Sequence, residues 1–318
     1  MFRHGLTRIY TDLHCIETMS DGETKLVKHF IAKGKLSRSK FPIGIGDDMA
    51  QVKLAKGDSV LITTDMLLDG THFDTKKHSL EQIGYKSMAA SLSDCAAMAT
   101  IPLAAVVSVA LPRNFGAQNL KKLHKGILIA AKKYNCPLIG GDMTSWNKPL
   151  AISVTMLSTV GKMKPVKRST AKIGDVICVT GTLGGSLKGK HLVFEPRLKE
   201  SLAIAQAGAN SMMDISDGLS TDLNHICRLS GKGAIVEADK IPVSRNAETL
   251  SNALNDGEDF ELLFTIPQKK FEKLMKHWRF KTKLSVVGKI VKDNSVKIKM
   301  PDGKIINLKP GGYDHLAD

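Results

Sequence analysis

Short β-branched runs that end at Gly, Pro or Asp alternate along this chain with longer stretches of helical periodicity. Compact apolar runs of this kind predict strands, and they cover residues 60–64, 105–110, 152–160 and 176–180. The clearest helical stretches are 80–98, 117–134, 219–229 and 268–278. Because each sheet must bury a face against helices or another sheet, this alternation predicts an α/β or α+β fold.

A chain of 318 residues has the length of about two domains. The apolar run 152–160 gives way to a basic, proline-containing stretch within 161–174, which is typical of a domain boundary. We therefore predict an N-terminal domain over residues 1–162 and a C-terminal domain over residues 163–318. Residues 1–20 carry no motif that we can assign.

Lysine and arginine outnumber aspartate and glutamate by 46 to 31, so the formal charge is +15. With such an excess, a nucleic-acid partner or an anionic substrate has to be considered. Aromatic residues make up only 5% of the chain and it contains no nucleic-acid reader motif, so nucleic-acid binding is the weaker alternative. The lysine-rich segments 269–283 and 289–309 carry apolar residues at helix or strand spacing, and we interpret them as solvated faces of folded elements.

Five scattered cysteines without a CxxC pair indicate a reducing compartment. The N-terminus lacks an apolar core followed by a small-residue cleavage site. Pro102 interrupts the longest uncharged run, 95–112, which therefore predicts a buried helix end followed by a buried strand rather than a membrane span. We expect a cytoplasmic protein that has no membrane partner.

Acidic residues are concentrated in five short segments that contain glycine or end a strand, although the chain is basic overall. These segments are Gly44-Ile45-Gly46-Asp47-Asp48, Thr63-Thr64-Asp65, Gly140-Gly141-Asp142, Asp214-Ile215-Ser216-Asp217-Gly218 and Gly257-Glu258-Asp259. A single Gly-Asp pair usually forms a turn. An aspartate at the end of a strand, however, can point its carboxylate into the cleft where α/β folds bind ligands. Five such segments together favour a shared site.

Asp94 falls on the mainly apolar stripe of the predicted helix 80–98, together with small residues such as Ala90 and Ala97. A carboxylate buried there without a partner would be strongly unfavourable. This carboxylate could interact with an ion or with the backbone of another segment. In the alternative interpretation, Asp94 caps a loop amide.

Carboxylates that converge in one cleft need cations. Two unit charges about 4 Å apart repel by roughly 4 kcal/mol at an effective dielectric constant of about 20. Oxygen ligands without Cys or paired His favour Mg²⁺, which commonly binds between carboxylates and substrate phosphates and so favours phosphoryl transfer. The GxxxxGK[ST] loop and the HRD and DFG motifs of protein kinases are missing from the chain. Metal-binding aspartates would therefore take the place of a lysine-based phosphate site.

In their order, these motifs resemble those of the thiamine-monophosphate kinase family, which belongs to the superfamily of aminoimidazole ribonucleotide synthetase. The matching blocks are residues 44–48, 63–73, 91–98, 140–142, 214–219, 257–262 and 311–315. Each block is short, but seven in the same order make a specific signal. TDMLLDGTHF and GGYDH favour this kinase over its relatives. The resemblance implies a two-domain fold, with an N-terminal α/β domain that dimerises through its sheet and a C-terminal α/β domain.

The resemblance also implies an activity and its residues. The enzyme would transfer the γ-phosphate of ATP to thiamine monophosphate, form thiamine diphosphate, use Mg²⁺ and act as a homodimer. Mg²⁺ would be bound by Asp48, Thr63, Thr64, Asp65, Asp94, Asp142, Asp214 and Asp217. ATP would contact Gly141, Asp142, Arg168 and Ser216, and the thiamine phosphate would contact His72, Glu258 and Tyr313. The catalytic residues would be Asp94, Asp142 and Asp217.

Ordinary structural interpretations exist for several of these residues. Arg168 could be a solvent-facing linker residue, His72 a loop or core histidine, and Tyr313 a residue packed on the domain surface. Glu258 could end a turn before the strand predicted over 260–265.

The chain departs from the family pattern at two places, and one alternative within the superfamily stays open. Met143 follows Gly-Gly-Asp where the family commonly has Thr, and the segment from Ser186 to Phe194 is short for the family. The alternative is an ATP-dependent synthetase of the purine-pathway type. Selenophosphate synthetase fits less well, because Cys15 lies in no glycine-rich segment.

Overall fold

The computed structural model describes residues 37, 39–43, 47–54, 59–161 and 163–313. Three sets of residues named above lie outside the described residues, namely 1–20, 44–46 and 314–315. The strands are β1 Ala50–Lys53, β2 Ser59–Leu68, β3 Ile101–Pro112, β4 Leu138–Trp146, β5 Ala151–Thr159, β6 Asp175–Thr180, β7 Ser211–Asp214, β8 Gly233–Glu237, β9 Leu262–Pro267, β10 Leu284–Val291, β11 Val296–Lys299 and β12 Ile305–Asn307. The α-helices are α1 Leu80–Ala97, α2 Ala117–Lys133, α3 Leu198–Gln206, α4 Leu219–Ser230, α5 Leu250–Asn255 and α6 Gln268–His277.

The first sheet has the strand order β1-β2-β5-β3-β4. Strand β5 runs antiparallel to both β2 and β3, and β4 runs parallel to β3. Side chains alternate between the two faces of a strand, so Leu61 and Leu67 of β2 are buried while Ile62 and Met66 are exposed. One face of this sheet therefore packs against α1 and α2 in a common core, and the other carries exposed apolar side chains.

Helix α1 begins at a capping box in which the Ser79 hydroxyl accepts a hydrogen bond from the backbone N–H of Gln82. It is buried over most of its length and crosses α2 at two glycines. A Cβ atom at Gly84 would lie 2.1 Å from the carbonyl oxygen of Leu123, and one at Gly126 would lie 2.0 Å from that of Glu81. The two helices can approach this closely only because neither position carries a side chain.

The second sheet has the strand order β12-β11-β8-β10-β6-β9-β7. Its central strands are apolar on both faces because helices cover both. Ile177 and Val179 of β6 pack in the core that contains α4, whereas Val176 and Cys178 pack in the core that contains α3 and α6. Ala96, near the end of α1, belongs to this second core, so α1 contacts the cores of both sheets.

The fold class predicted from the sequence is confirmed. The strand predicted over 60–64 extends to Ser59–Leu68, and the helix predicted over 80–98 is Leu80–Ala97. Strand β3 differs from the expectation for the 95–112 run, because it is buried on one face only and Leu103 is 43% exposed. Within the described residues no helix combines the length and the apolar character needed to cross a bilayer.

Replacing Gly126 with alanine should lower the melting temperature. Alanine favours a helix by about 1 kcal/mol over glycine, but its methyl group would overlap the Glu81 carbonyl. Overpacking costs typically about 1–3 kcal/mol, which corresponds to roughly 2–4 °C per kcal/mol in a protein of this size. Thermal unfolding followed by circular dichroism checks this. Gly140→Ala is the control, because a Cβ there would make only an ordinary contact at 3.8 Å. An unchanged or higher melting temperature for Gly126→Ala would contradict the proposed close approach.

Candidate metal and phosphate site

Three aspartates from distant parts of the chain converge on one point. Asp48 lies just before β1, Asp94 lies in the last turn of α1, and Asp214 is the last residue of β7. One carboxylate oxygen of each lies within 4.8 Å of the others. Asp48 and Asp214 are buried and Asp94 is half-buried. We call these three residues the aspartate cluster.

Hydroxyl groups hold these carboxylates in place. Thr63 donates to Asp94 at 2.5 Å, and Ser93 donates to Asp214 at 2.5 Å. Ser91 donates to Asp65, whose charge is close enough to raise the pKa of Asp94. Strand alternation places Thr63 and Asp65 on the face of β2 that meets α1. The fold therefore brings four of the predicted metal residues and the Thr63 hydroxyl to one region. The four are Asp48, Asp65, Asp94 and Asp214.

Thr64 lies on the other face of β2. Its hydroxyl shares a 3.0 Å hydrogen bond with Thr155 on the exposed side of the sheet. The side chain of Thr64 therefore does not join the aspartate cluster, contrary to the expectation from the sequence. The alternation of side chains along a strand explains the difference, since neighbours such as Thr64 and Asp65 cannot point to the same face.

Arg168 binds the aspartate cluster directly. Its Nη2 lies 2.6 Å from Asp48 Oδ1 and its Nε 2.9 Å from Asp48 Oδ2, which is a bidentate pair. Its backbone N–H donates to Asp47 at 2.8 Å. Arg168 is therefore no solvent-facing linker residue, and its guanidinium group positions Asp48 and offsets part of the negative charge of the cluster.

Burial and mutual repulsion raise the pKa values in this group of acids. Burial, followed by the charges of Asp65 and Asp214, raises the pKa of Asp94 well above its usual value. Burial and then Asp48 raise the pKa of Asp214 to about 7. Burial also raises the pKa of Asp65. A cation bound among these oxygens would favour the ionised carboxylates and so oppose these shifts, and an oxygen-only donor set suits a hard divalent ion such as Mg²⁺.

Asp142 lies away from the aspartate cluster. It is on β4, and strands β3 and β5 lie between β4 and β2. Across the sheet, Asp142 pairs with Ser108, Ser108 with Ser153, and Ser153 with Met66 of β2. Three strand spacings correspond to about 14 Å. Among the described residues, the carboxylates within 4.8 Å of one another are those of Asp48, Asp94 and Asp214, and Asp142 is not one of them.

Gly141 and Asp142 instead flank a cavity of about 640 Å³ between β3, β4 and α2. Its walls are mainly apolar, with Val107, Leu120 and Ile127 among them. Gly141 has no room for a side chain, because a Cβ atom would lie 1.9 Å from the carbonyl oxygen of Val107.

The residues predicted to contact the thiamine phosphate lie around a second group of loops. The backbone N–H of Glu258 donates to the Ser216 carbonyl at 2.6 Å, and that of Tyr313 donates to the Asp217 carbonyl at 3.2 Å. Gly312 allows the second contact, because a Cβ there would lie 1.8 Å from the Asp217 carbonyl oxygen. Four predicted site residues are thus held together by backbone hydrogen bonds.

The loop that carries Glu258 is strained. Glu258 and Phe260 have φ angles of 56° and 50°, a conformation that costs roughly 1–3 kcal/mol for each residue with a side chain. The backbone N–H of Gly184 donates to the Asp259 carboxylate, and Phe260 stacks on Phe194 at 4.0 Å. These two contacts hold the loop in this form. Strain of this kind clusters at functional sites.

Sequence reasoning missed three residues of this region. Ser91 and Ser93 lie within the matched block 91–98, but no role was assigned to them. Lys86 donates both to the Glu258 carboxylate and to the His72 carbonyl oxygen. A signal for Lys86 was present, since it is the only charged residue between Gln82 and Asp94 on a helix that is otherwise apolar or small there.

Comparison with known proteins identifies the class of this fold and site. The family model described as "AIR synthase related protein, N-terminal domain" matches residues 46–160, and the corresponding C-terminal domain model matches residues 180–301. The chain is thus an AIR synthase related protein.

Full-length relatives identify the family. A thiamine-monophosphate kinase of Rhodopirellula baltica is 34% identical over 290 residues, which cover 86% of this chain and 91% of the relative. That of Buchnera aphidicola from Acyrthosiphon pisum is 36% identical, covering 86% and 92%. The solved structure "AaThiL complexed with AMPPCP and TMP" is 27% identical, covers 99% of this chain and all of the other, and has a TM-score of 0.79. The chain belongs to the thiamine-monophosphate kinase family, and the resemblance inferred from the sequence is confirmed.

The raised pKa values predict how the stability of the metal-free protein depends on pH. Since the pKa of Asp214 is about 7 in the folded chain and the usual pKa of an aspartate is 3.8, the folded chain binds more protons than the unfolded chain between these values. Its melting temperature in EDTA should therefore fall as the pH rises from about 5 to about 8. Mg²⁺ should restore it, and the gain should be larger at the higher pH. Differential scanning fluorimetry with EDTA or Mg²⁺ measures both quantities.

Asp94→Asn is the matched variant for this measurement. It retains an acceptor for Thr63 but removes one of the repelling charges. Without metal at about pH 8 it should melt higher than the wild type, and its gain with Mg²⁺ should be smaller. Equal gains at both pH values in both proteins would contradict a cation site among these aspartates.

Proposed function

We propose that this protein is an Mg²⁺-dependent kinase that transfers the γ-phosphate of ATP to thiamine monophosphate and forms thiamine diphosphate. The observation that carries the proposal is the aspartate cluster, in which oxygens of Asp48, Asp94 and Asp214 lie within 4.8 Å of one another in a family of thiamine-monophosphate kinases. A buried set of like charges is unfavourable without a cation, and phosphoryl transfer is the chemistry that such an ion serves.

In this proposal Asp48, Asp94 and Asp214 bind Mg²⁺, and Asp65 lies close enough to contribute. The bound ion neutralises charge on the transferred phosphoryl group and on the phosphates beside it. Thr63, Ser91 and Ser93 orient the carboxylates, and Arg168 fixes Asp48. Preorganised charges of this kind need no rearrangement during the reaction.

The acceptor is itself a phosphate. Its second pKa is about 6, so near neutral pH it is largely ionised and can attack without a strong general base. The protein then has to align the two phosphates and neutralise their charge. This accounts for a site in which the reacting region is rich in carboxylates and hydroxyls rather than in a nucleophile and its base.

We place the nucleoside part of ATP in the cavity beside Gly141 and Asp142. Its apolar walls suit a purine ring, and Gly141 and Asp142 lie at its edge. Because Asp142 lies about 14 Å from β2 across the sheet, we assign it to nucleotide binding rather than to the ion held by Asp94. Arg168 and Ser216 remain the proposed contacts at the phosphate end.

We place the thiamine ring beside Glu258, Tyr313 and His72. Tyr313 is 51% exposed, so its ring can stack on a cationic thiazolium or on the pyrimidine. The Glu258 carboxylate can accept a hydrogen bond from the aminopyrimidine N–H. The Asp217 carbonyl accepts from the backbone N–H of Tyr313, and that of the neighbouring Ser216 accepts from Glu258. Asp217 stays a proposed ligand and catalytic residue.

We propose that two copies pair through the exposed face of the first sheet. Met66 and Ile139 are each 63% exposed there, and Ile62, Leu103 and Trp146 are also exposed. A patch of this kind on a sheet marks an interface. We also retain the domain boundary near residue 162 and a cytoplasmic location; the described cysteines are buried thiols, which agrees with a reducing compartment.

The activity is tested with purified protein, Mg²⁺ and ATP. Thiamine monophosphate should be converted to the diphosphate, and free thiamine should not be phosphorylated. Thiamine diphosphate is measured by chromatography after oxidation to its fluorescent thiochrome. Asp94→Asn should lose at least about a hundredfold in kcat, whereas the exposed control Asp239→Asn should match the wild type. No diphosphate from the folded wild type would reject the kinase assignment, and near-normal kcat in Asp94→Asn would reject the role of the aspartate cluster.

Pairing is tested by Met66→Asp, which puts a charge in the proposed interface. Gel filtration with light scattering should give a dimer for the wild type and a monomer for this variant. Met275→Asp is the control. Met275 is exposed on α6, which packs against the second sheet, and lies outside the exposed face of the first sheet. A monomeric wild type, or a dimer unaffected by Met66→Asp, would contradict the proposed interface.

A further inference from the structure

Lys86 is a buried lysine in the middle of α1. Its side chain is only 1% exposed. It lies in a run of buried residues from Ile83 to Ala89. The ammonium group donates to the Glu258 carboxylate and to the backbone carbonyl oxygen of His72. One amine thus connects a helix, the loop after β2 and the strained loop before β9.

Burial of this charge is costly. It lowers the pKa of Lys86, and only the attraction of Glu258 opposes that shift. Replacing a buried ion pair by apolar side chains of similar size is often neutral or stabilising. Stability therefore gives a weak reason for a lysine at a site that methionine or leucine could fill. A functional reason for the lysine has to come from the two groups that accept hydrogen bonds from its ammonium group.

Both groups that Lys86 contacts belong to residues proposed to face the thiamine ring. The backbone of Glu258 is already fixed by its hydrogen bond to Ser216 and by its positive φ angle. The carboxylate is the part of Glu258 that accepts from Lys86, and its side chain is 20% exposed. An ammonium group beside it favours one rotamer.

We propose that Lys86 is a positioning residue that holds the Glu258 carboxylate and the His72 loop together as one preformed wall of the thiamine-binding site. This inference rests on the proposed function, since the wall has a purpose only if Glu258 and His72 face the substrate. Lys86 itself does not touch the substrate. It acts by reducing the freedom that Glu258 would otherwise lose on binding.

The test compares Lys86→Met with the wild type in steady-state kinetics. Methionine keeps the length of the buried stem and removes the charge. KM for thiamine monophosphate should rise about tenfold or more, as expected for a lost charge-assisted hydrogen bond. KM for ATP and kcat should each change less than about threefold. Lys133→Met is the matched control, because Lys133 forms a 2.6 Å ion pair with Glu195 at the surface, and its kinetics should equal the wild type.

A double-mutant cycle separates positioning from general loss of structure. If Lys86 acts through Glu258, then Lys86→Met combined with Glu258→Gln should raise KM for thiamine monophosphate no further than Glu258→Gln alone. Effects that multiply, or equal losses in the KM values for both substrates, would overturn the proposal. If Lys86→Met does not fold, as judged by near-ultraviolet circular dichroism, Lys86→Gln retains N–H donors and is judged by the same criteria.

Wild-type activity separates this proposal from the proposed function. If the wild type does not phosphorylate thiamine monophosphate, the kinase assignment fails and the wall with it. If the wild type is active and Lys86→Met has a normal KM for thiamine monophosphate, only the role of Lys86 is rejected.

Discussion

Repulsion between buried carboxylates is the constraint around which the described part of this protein is organised. Asp48, Asp94 and Asp214 come from three separate segments, and their oxygens lie within 4.8 Å of one another. At about that distance each pair repels by roughly 4 kcal/mol at an effective dielectric constant of about 20. Arg168 offsets part of this charge and protons offset more, as the pKa of about 7 for Asp214 indicates. In the proposed function a bound cation would relieve this repulsion, which would link ion binding to stability as well as to chemistry.

Helix α1 makes this arrangement possible because it contacts both sheets. It packs against the first sheet and α2 through the close approach at Gly84 and Gly126, and its end belongs to the core of the second sheet. The same helix carries Ser91, Ser93 and Asp94. A shift of α1 would therefore change the geometry of several ligands at once, and its close packing protects the alignment on which phosphoryl transfer depends.

Much of the fold and part of the site could be predicted from the sequence. Periodicity located α1 and β2 because their patterns are long and regular. The convergence of Asp94 with Asp214 was predictable only through the order of motifs, since no spacing relates residues so far apart. The strand predicted over 60–64 extends to Leu68, so the alternation that puts Thr64 and Asp65 on opposite faces was not anticipated. Strand order could not be predicted from the sequence; Asp142 is on β4, about 14 Å from β2 across the sheet, and is not part of the aspartate cluster. The partner of Lys86 depends on a loop 172 residues further on.

Helix α1 also sets the distance between the two ends of the proposed site. Lys86 and Asp94 are eight residues apart on it, and at 1.5 Å per residue their separation along the axis is about 12 Å. In the proposed function, Lys86 would position the carboxylate beside the thiamine rings, and Asp94 would bind the ion beside the phosphates. Because a helix is stiff, this spacing sets the length of molecule that can reach both anchors simultaneously. Selectivity for the acceptor would then depend on the length of the acceptor as well as on its chemical groups.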